Sequence, residues 1–392
     1  KASSHGSPLG SDEVNLTRGK LSWSEKPFQI PEKLLKIWRG SADKNKKLYK
    51  KSKSTFHSNL SKKDIDKLFN KIELDLKNFN SDQATRKSSE AILNYIKEDH
   101  PILGGSADLT GSNNTKGKEM SIMNSKNMSG QYIHYGVREH GMAAIMNGIA
   151  ATKIYKTYSG TFLSFADYMK PSLRLAALMK IDPIQVFTHD SIGLGEDGPT
   201  HQPIEQINML RLIPNSYVFR PCDLKETIVC WKEALKIDNA PSFICLSRQN
   251  LPQISNKKLV SKNFKGAYVI SGPKKNNDIT IIATGSEVSL AVNIAEVLKN
   301  NGIIAKVISM PSTSIFEKQS RSFKITLLDS KLDETFVIEA GSTMYWNKFT
   351  NSENIFGLDV FGASAPGSEV FKKFGLTTKT ISTKILRKIK TK

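Results

Sequence analysis

Thr188-His189-Asp190-Ser191-Ile192-Gly193-Leu194-Gly195-Glu196-Asp197-Gly198-Pro199-Thr200-His201-Gln202-Pro203 is the stretch on which the reading of this 392-residue chain turns. It follows the apolar run Pro183–Phe187, which reads as a buried parallel strand, and precedes the helical stretch Ile204–Leu212. Two histidines, two aspartates and a glutamate therefore fall on a glycine-rich turn at a strand's carboxyl end. Open α/β sheets hold their ligands there. A loop so rich in titratable groups packs poorly and is predicted to be a reaction site.

Outward from this loop, helix and strand patterns alternate from about Ser81. Ser81 or Asp82 is positioned to cap a helix through Lys97, and Pro101 with the glycines after it reads as a turn. Helix Glu139–Thr152, extended Tyr155–Tyr158, helix Phe165–Lys180, strand Ile184–Thr188, strand Tyr217–Arg220, helix Leu224–Ile237 and strand Ser242–Leu246 follow. The alternation predicts a parallel sheet with helices on both faces. Leu251–Phe264 reads as a polar linker to a second α/β unit. That unit has strands Ile279–Ala283, Ala305–Met310 and Thr335–Glu339 and helices Glu287–Asn300, Ser368–Phe374 and Ser382–Lys390. The fold class expected is α/β, with two three-layer domains each built on a parallel sheet. Residues 1–80 are polar and basic, with short exposed helices predicted at Lys33–Arg39 and Lys63–Asn78 and no core of their own.

Composition bounds the function. Hydrophobic content of 39% and charged content of 24% are ordinary for a globular protein. No apolar run reaches the ~18–20 residues of a membrane span, so no membrane partner is expected. The net charge of +20 invites a nucleic-acid reading, but no helix-turn-helix, zinc or RNP pattern accompanies the lysines. A solvated basic surface that attracts anionic small molecules accounts for them, and no nucleic-acid partner is expected. Cys222, Cys230 and Cys245 follow no pairing motif and fit buried thiols of a reducing compartment, so a cytoplasmic location is expected. Lys1 in place of methionine is expected of a longer native polypeptide.

The loop and its neighbours carry a resemblance. Gly104-Gly105-Ser106-Ala107-Asp108-Leu109-Thr110, Tyr135-Gly136-Val137-Arg138-Glu139-His140, Gly160-Thr161-Phe162-Leu163-Ser164-Phe165, the 188–203 loop and Leu246-Ser247-Arg248-Gln249-Asn250 stand in the order of their counterparts in transketolases. The chain thus resembles these thiamine-diphosphate enzymes, which move two-carbon ketol units between sugar phosphates. The resemblance covers nearly the whole chain but only the family's second and third domains. It implies a pyrophosphate-domain tail and connector over 1–80, a pyrimidine-binding domain over 81–252 and a C-terminal domain over 253–392.

Roles follow from the resemblance, residue by residue. Glu139 matches the carboxylate that holds the cofactor's aminopyrimidine and assists deprotonation of the thiazolium. Read alone, it is an acidic residue in a helix's first turn. Phe162, Phe165 and Tyr168, spaced by three, are a possible shared helix face and an ordinary core stripe; the resemblance makes them the aminopyrimidine pocket, with Phe165 stacking. Asp197 and His201 match residues that contact donor hydroxyls, and His201 or His189 would handle protons as the carbon–carbon bond breaks. Arg86, Ser112, His189 and Arg248 match the phosphate-binding set. His5 matches a histidine near the cofactor diphosphate and substrate, and Asp108 an acidic residue at the subunit boundary near the cofactor. No role is assigned to Arg138, although it adjoins Glu139.

Departures from the family pattern shape the expectation. The Gly-Asp-Gly motif that anchors the diphosphate through Mg2+ or Ca2+ is missing. Glu196 breaks the near match Gly195-Glu196-Asp197-Gly198, and the acid spacing of the loop fits no EF-hand. No metal ligands are therefore expected in this chain. Gly111 stands where the family often has proline before the serine at 112. The resemblance implies a homodimer acting in the pentose phosphate pathway on xylulose 5-phosphate, ribose 5-phosphate and erythrose 4-phosphate, with the active site of this chain alone incomplete. A dihydroxyacetone synthase-like enzyme and a non-catalytic partner-binding subunit are the rival readings; the retained phosphate set speaks against the second. In the last domain Gly285-Ser286-Glu287 opens a helix and is either an anion site or a plain cap by Ser286.

Overall fold

The computed structural model describes residues 2–55, 61–76, 81–99, 102–255 and 263–390. The chain divides into two compact units, Lys1–His57 and Ser58–Lys392. The first carries α1 (Ser11–Lys20) and α2 (Glu32–Thr55), and α1 buries no residue. The predicted helix Lys33–Arg39 is thus the start of a much longer one. Gly40 does not end it, because a single interior glycine costs only about 1 kcal/mol and the following alanine, leucine and lysines favour helix.

The second unit opens with α3 (Lys62–Asp75), whose N-terminus is capped by Ser61 accepting from the Asp64 amide at 3.2 Å. Ile65, Leu68, Phe69 and Ile72 repeat at helical spacing and all are buried. The expectation that 1–80 lacks a core is corrected here: α3 is a wall of the main hydrophobic cluster. Its lysine-rich outer face masked a narrow apolar stripe. The predicted end at Asn78 lies outside the described residues.

Next come α4 (Thr85–Asp99), β1 (Ile102–Ser106), α5 (Thr110–Asn113), β2 (Tyr132–His134), α6 (Glu139–Ala151), β3 (Lys156–Phe162), α7 (Ala166–Met179), β4 (Ile184–Thr188), α8 (Gln206–Arg211), β5 (Tyr217–Phe219), α9 (Leu224–Lys236) and β6 (Ser242–Leu246). The strands lie in the order β2-β1-β3-β4-β6-β5, every neighbour parallel. β1, β4 and β6 are buried along their whole length, as strands covered on both faces must be.

Two predicted details fail for physical reasons. Neither Ser81 nor Asp82 caps α4. It starts at Thr85, where the Ala84 amide donates to Asn250 Oδ1 at 3.1 Å and the Thr85 amide to Ser247 Oγ at 3.0 Å. That capping comes from 162 positions or more away in the sequence and is invisible locally. Gly104-Gly105, predicted as a turn, lies within β1. A Cβ on Gly104 would stand 1.9 Å from the Tyr158 ring, so glycine there permits close packing and marks no turn.

Residues 256–262 of the predicted linker fall outside the described residues. Beyond it lie β7 (Tyr268–Ser271), β8 (Ile279–Ala283), α10 (Glu287–Lys299), β9 (Ala305–Ser309), α11 (Thr313–Glu317), α12 (Arg321–Leu327), β10 (Thr335–Ile338), β11 (Ile355–Phe356), α13 (Gly367–Lys373) and α14 (Thr378–Lys390). The strand order is β11-β10-β8-β9-β7, and β7 runs antiparallel to β9. The second sheet is therefore mixed, not parallel throughout as expected. Only the short segment Gly272–Asp278 joins β7 to β8, too little chain for the crossover that a parallel partner needs. Cys222, Cys230 and Cys245 are buried free thiols, and burial pushes all three above the ordinary thiol range.

Candidate active site

Because the first sheet is wholly parallel, the carboxyl ends of its strands share one edge. Ser106 of β1, His134 of β2, Phe162 of β3, Thr188 of β4 and Leu246 of β6 end there. The segments that follow these strand ends carry the predicted site residues of the second unit other than Arg86, which lies at the start of α4, ahead of β1.

An aromatic cluster sits at the end of β3. The rings of Phe162 and Phe165 lie 5.6 Å apart at 20°, and Phe165 and Tyr168 are 5.9 Å apart. These three do not share a helix face as the spacing suggested. Phe162 ends β3, Phe165 closes the 3-10 turn Leu163–Phe165, and Tyr168 lies in α7. Strand end and tight turn bring together rings that a helix would have placed one above another. His189 stacks on Phe162 at 3.7 Å, and His201 meets Phe162 and Phe165 edge-on at 6.0 and 5.4 Å.

His189 is held in a left-handed turn with φ of 61° and is 3% exposed. Burial, followed by the charges of Arg86, Arg248 and His201, pushes its imidazole down to about 3, so the ring is neutral. The same influence shows on Arg86, lowered by burial and by Arg248. Four segments thus deliver Arg86, Ser112, His189 and Arg248 to one electropositive neighbourhood. Arg86 donates to the Ser112 carbonyl, while its Nε is buried without a partner among the described residues. Arg248 is exposed beside it in the sheet-edge loop.

Glu139 opens α6 and is 8% exposed, yet its carboxylate accepts no hydrogen bond from a described residue. Arg138 turns away from it and donates to the Tyr135 carbonyl at 2.9 Å. The Tyr135, Thr161 and Ser164 hydroxyls are buried without partners among the described residues. An unpartnered carboxylate on a largely buried residue and a stack of flat rings fit the aminopyrimidine half of thiamine diphosphate. Among the described residues, no group of three or more His, Cys, Asp or Glu could hold a metal ion. Asp108 is exposed at the end of β1 with φ of 60°. His5 is exposed in the first unit, which is described by itself.

The 188–203 loop is only partly the reactive surface it was expected to be. Asp197 and Glu196 are exposed and His201 half-buried, with Thr200 Oγ1 2.9 Å from its Nδ1. Asp190, by contrast, is a packing element. It accepts from Arg220 Nε at 2.8 Å, both side chains being fully buried. Arg220 also pairs with Glu287 and lies 3.6 Å from Glu339, which Arg211 grips with two bonds of 2.6 and 2.8 Å. These charges hold the loop to the second sheet. They also answer the question left at Gly285-Ser286-Glu287. Ser286 makes no cap and Glu287 already has its cation, so neither an anion site nor a serine cap is present.

Sequence reasoning passed over Gln202 as well. Its amide nitrogen donates to the Gly195 and Ala363 carbonyls at 2.8 and 2.9 Å, and its oxygen accepts from the Ala363 amide at 3.0 Å. Ser364 Oγ donates to the Glu196 carbonyl. The loop therefore rests on residues 363–367 of the second α/β layer. Only the position of Gln202 beside His201 hinted at it.

Comparison with known proteins agrees with this geometry. Residues 1–73 match the family model described as "Transketolase, thiamine diphosphate binding domain", 81–253 "Transketolase, pyrimidine binding domain" and 266–377 "Transketolase-like TK C-terminal domain". The protein is of the thiamine-diphosphate-binding α/β class. A transketolase of Buchnera aphidicola subsp. Baizongia pistaciae is 40% identical over 407 residues, covering 99% of this chain and 61% of the relative. Transketolase 2 of Vibrio parahaemolyticus is 41% identical, with 96% and 60% covered. The solved structure of Pichia stipitis transketolase in complex with sedoheptulose 7-phosphate superposes with a TM-score of 0.84 at 37% identity, over 98% of this chain and 59% of that one. The chain belongs to the transketolase family, and it spans about three fifths of the length of these relatives.

Proposed function

We propose that this chain forms the pyrimidine-side half of a ketol-transfer site. With a remaining thiamine-diphosphate-binding portion, it would move a two-carbon unit from a ketose phosphate to an aldose phosphate. The convergence of Arg86 and Arg248 on His189, beside the Phe162–Phe165 stack, carries this reading. It puts phosphate-seeking cations next to a pocket for a flat ring.

The chain's own residues divide the work. Glu139 holds the aminopyrimidine through its unpartnered carboxylate, and Phe162, Phe165 and Tyr168 pack the ring. Thiamine diphosphate, when bound, supplies the electron sink for carbon–carbon cleavage. Asp197 accepts from a donor hydroxyl, so that a wrong epimer leaves the carboxylate unpaired. His201 moves a proton at the substrate oxygens. Arg86 and Arg248, with Ser112, fix the phosphate of substrates such as xylulose 5-phosphate, ribose 5-phosphate and erythrose 4-phosphate. The resemblance gives His5 a role at the cofactor diphosphate and substrate, and Asp108 one at a subunit boundary near the cofactor.

The metal, Mg2+ or Ca2+, and the diphosphate anchor belong to the remaining domain in this reading. Residues 1–80 form its tail, 81–252 the pyrimidine domain and 253–392 the C-terminal domain. The working form is a cytoplasmic homodimer. Calorimetry of the chain with ribose 5-phosphate and with unphosphorylated ribose tests the phosphate assignment. Arg86→Ala is expected to weaken ribose 5-phosphate roughly tenfold or more and leave ribose unchanged. Equal binding of both sugars by the parent chain would overturn it.

A further inference from the structure

Gln202 closes a ring of chain around Asp197 and His201. Its side-chain nitrogen donates to the Gly195 carbonyl at 2.8 Å, seven positions back. Inside that ring the Gly198 amide donates to the same carbonyl at 3.2 Å, and the His201 and Gln202 amides both donate to the Gly198 carbonyl at 3.0 Å. Gly195 and Gln202 are buried, while Asp197 stands exposed and His201 half-buried between them. The other bonds of Gln202 leave the loop. Its nitrogen also donates to the Ala363 carbonyl at 2.9 Å, and its oxygen accepts the Ala363 amide at 3.0 Å. Carbonyls only accept and a backbone amide only donates, so these partners fix which way the side-chain amide points. Ala363 lies in the segment 362–367 that runs into α13, and Ser364 of that segment donates to the Glu196 carbonyl. The fit is close. A Cβ on Gly362 would stand 1.7 Å from Gln202 Oε1, and one on Gly367 would stand 2.7 Å from the Gly193 carbonyl oxygen.

We propose that Gln202 is a positioning residue and segment 362–367 its seat, so that the C-terminal domain sets where Asp197 and His201 meet a sugar. The consequence for the ligand rests on the sugar-phosphate reading above, which gives those two residues the sugar oxygens. A carboxylate discriminates between hydroxyls only when it is held to within about 0.5 Å of its working place. Asp197 is exposed, so the backbone beneath it has to supply that constraint. Gln202 ties that backbone at Gly195 and at its own position, and Ser364 ties it between them at Glu196. The phosphate cations stand apart from the ring, Arg86 on α4 and Arg248 after β6. Loosening the ring therefore impairs the grip on the sugar and spares the grip on phosphate.

Gln202→Met keeps the length of the side chain and removes all three of its bonds. Amide hydrogen exchange of the full chain, read by mass spectrometry, follows the Gly198, His201 and Gln202 amides. Gln202→Met should speed their exchange at least tenfold and leave β4 within about twofold of the parent. Ser364→Ala, a milder change at an exposed position, should speed it about threefold. Unchanged exchange in Gln202→Met overturns the proposal. Should that variant quicken β4 equally, Ser364→Ala decides, and no change in it overturns the seat. Calorimetry supplies the second readout. Gln202→Met should weaken xylulose 5-phosphate about tenfold and inorganic phosphate less than about twofold. In a chain carrying Asp197→Ala and His201→Ala, the same change should cost less than about twofold further, because no group is left to position. Equal weakening of both ligands, or a full tenfold loss in that background, would make Gln202 merely structural and overturn the positioning role. If the parent chain binds neither ligand, the sugar-phosphate reading fails, and exchange alone decides whether Gln202 holds the loop.

Discussion

Glu139, the proposed holder of the aminopyrimidine, is distinguished from a structural residue at the scale of a single side chain. It is nearly buried, yet no described residue donates to its carboxylate, an arrangement that leaves it free for a ligand. Glu139→Gln should therefore leave the urea midpoint of the chain unchanged. The same substitution should lower ketol transfer by the completed enzyme roughly 10²–10⁴-fold, the usual contribution of a positioned acid–base group. A large loss of stability would contradict the assignment. Asp190 makes the opposite case. Its position on a glycine-rich loop read as reactive, but Arg220, 30 positions on, turns it into a buried anchor. Nothing in the local sequence distinguishes Asp190 from the exposed Asp197, because the difference is made by a cation from another strand.

At the scale of elements, legibility followed continuity. Ile184–Thr188, Ser242–Leu246 and Ile279–Ala283 are mainly apolar runs rich in β-branched and aromatic residues, and the structure places strands at those residues. β1 was lost to the turn signal of Gly104-Gly105, whose cause is the Tyr158 ring on a neighbouring strand. The start of α4 was misplaced because Ser247 and Asn250 cap it from a distance. α3 was taken for an exposed connector, although Phe69 and Ile72 are completely buried in it. Phe69→Ala should thus cost about 3–5 kcal/mol in urea unfolding, as a large buried side chain does and an exposed one does not. A loss below about 0.5 kcal/mol would return α3 to the surface. The candidate site was legible as a set of motifs in order, and the structure brings the rings of Phe162, Phe165, His189 and His201 together, with Arg86 and Arg248 acting on His189. The buried charges behind it were not, because Arg220, Glu287 and Glu339 lie on separate elements that only the fold brings together.

Across the second unit as a whole, the two sheets are joined by polar groups that water cannot reach. Glu226 at the start of α9 accepts from the Cys222 amide at 2.7 Å and from Tyr268 of β7 at 2.9 Å, with Ser309 of β9 also donating. Burial, followed by the charge of Asp223, pushes its carboxyl up to about 7 from an ordinary 4.5. The folded state therefore holds this proton more tightly than the unfolded chain. Its contribution to stability is present below about pH 4.5 and is lost as pH rises through 7. His189 acts in the opposite sense: folding depresses it from 6.5 to about 3, so its contribution is present above 6.5 and lost on acidification toward 3. Comparing Glu226→Gln with the parent isolates the first effect. A glutamine keeps its oxygen toward Cys222 and its nitrogen toward two hydroxyls that can accept. Relative to the parent, the variant should gain on the order of 3 kcal/mol between pH 5 and pH 8 in urea unfolding. A difference that does not change with pH would mean Glu226 is ionised throughout.

The central claim is that this chain supplies the pyrimidine side of a shared ketol-transfer site. The direct measurement is transfer from xylulose 5-phosphate to ribose 5-phosphate with thiamine diphosphate and magnesium supplied. The chain is assayed alone and then with a separately made thiamine-diphosphate-binding domain from a transketolase. Silence alone and activity on mixing, lost with Glu139→Gln, is the result expected. No transfer in the mixture, with the two polypeptides shown to associate and to bind the cofactor, would contradict it.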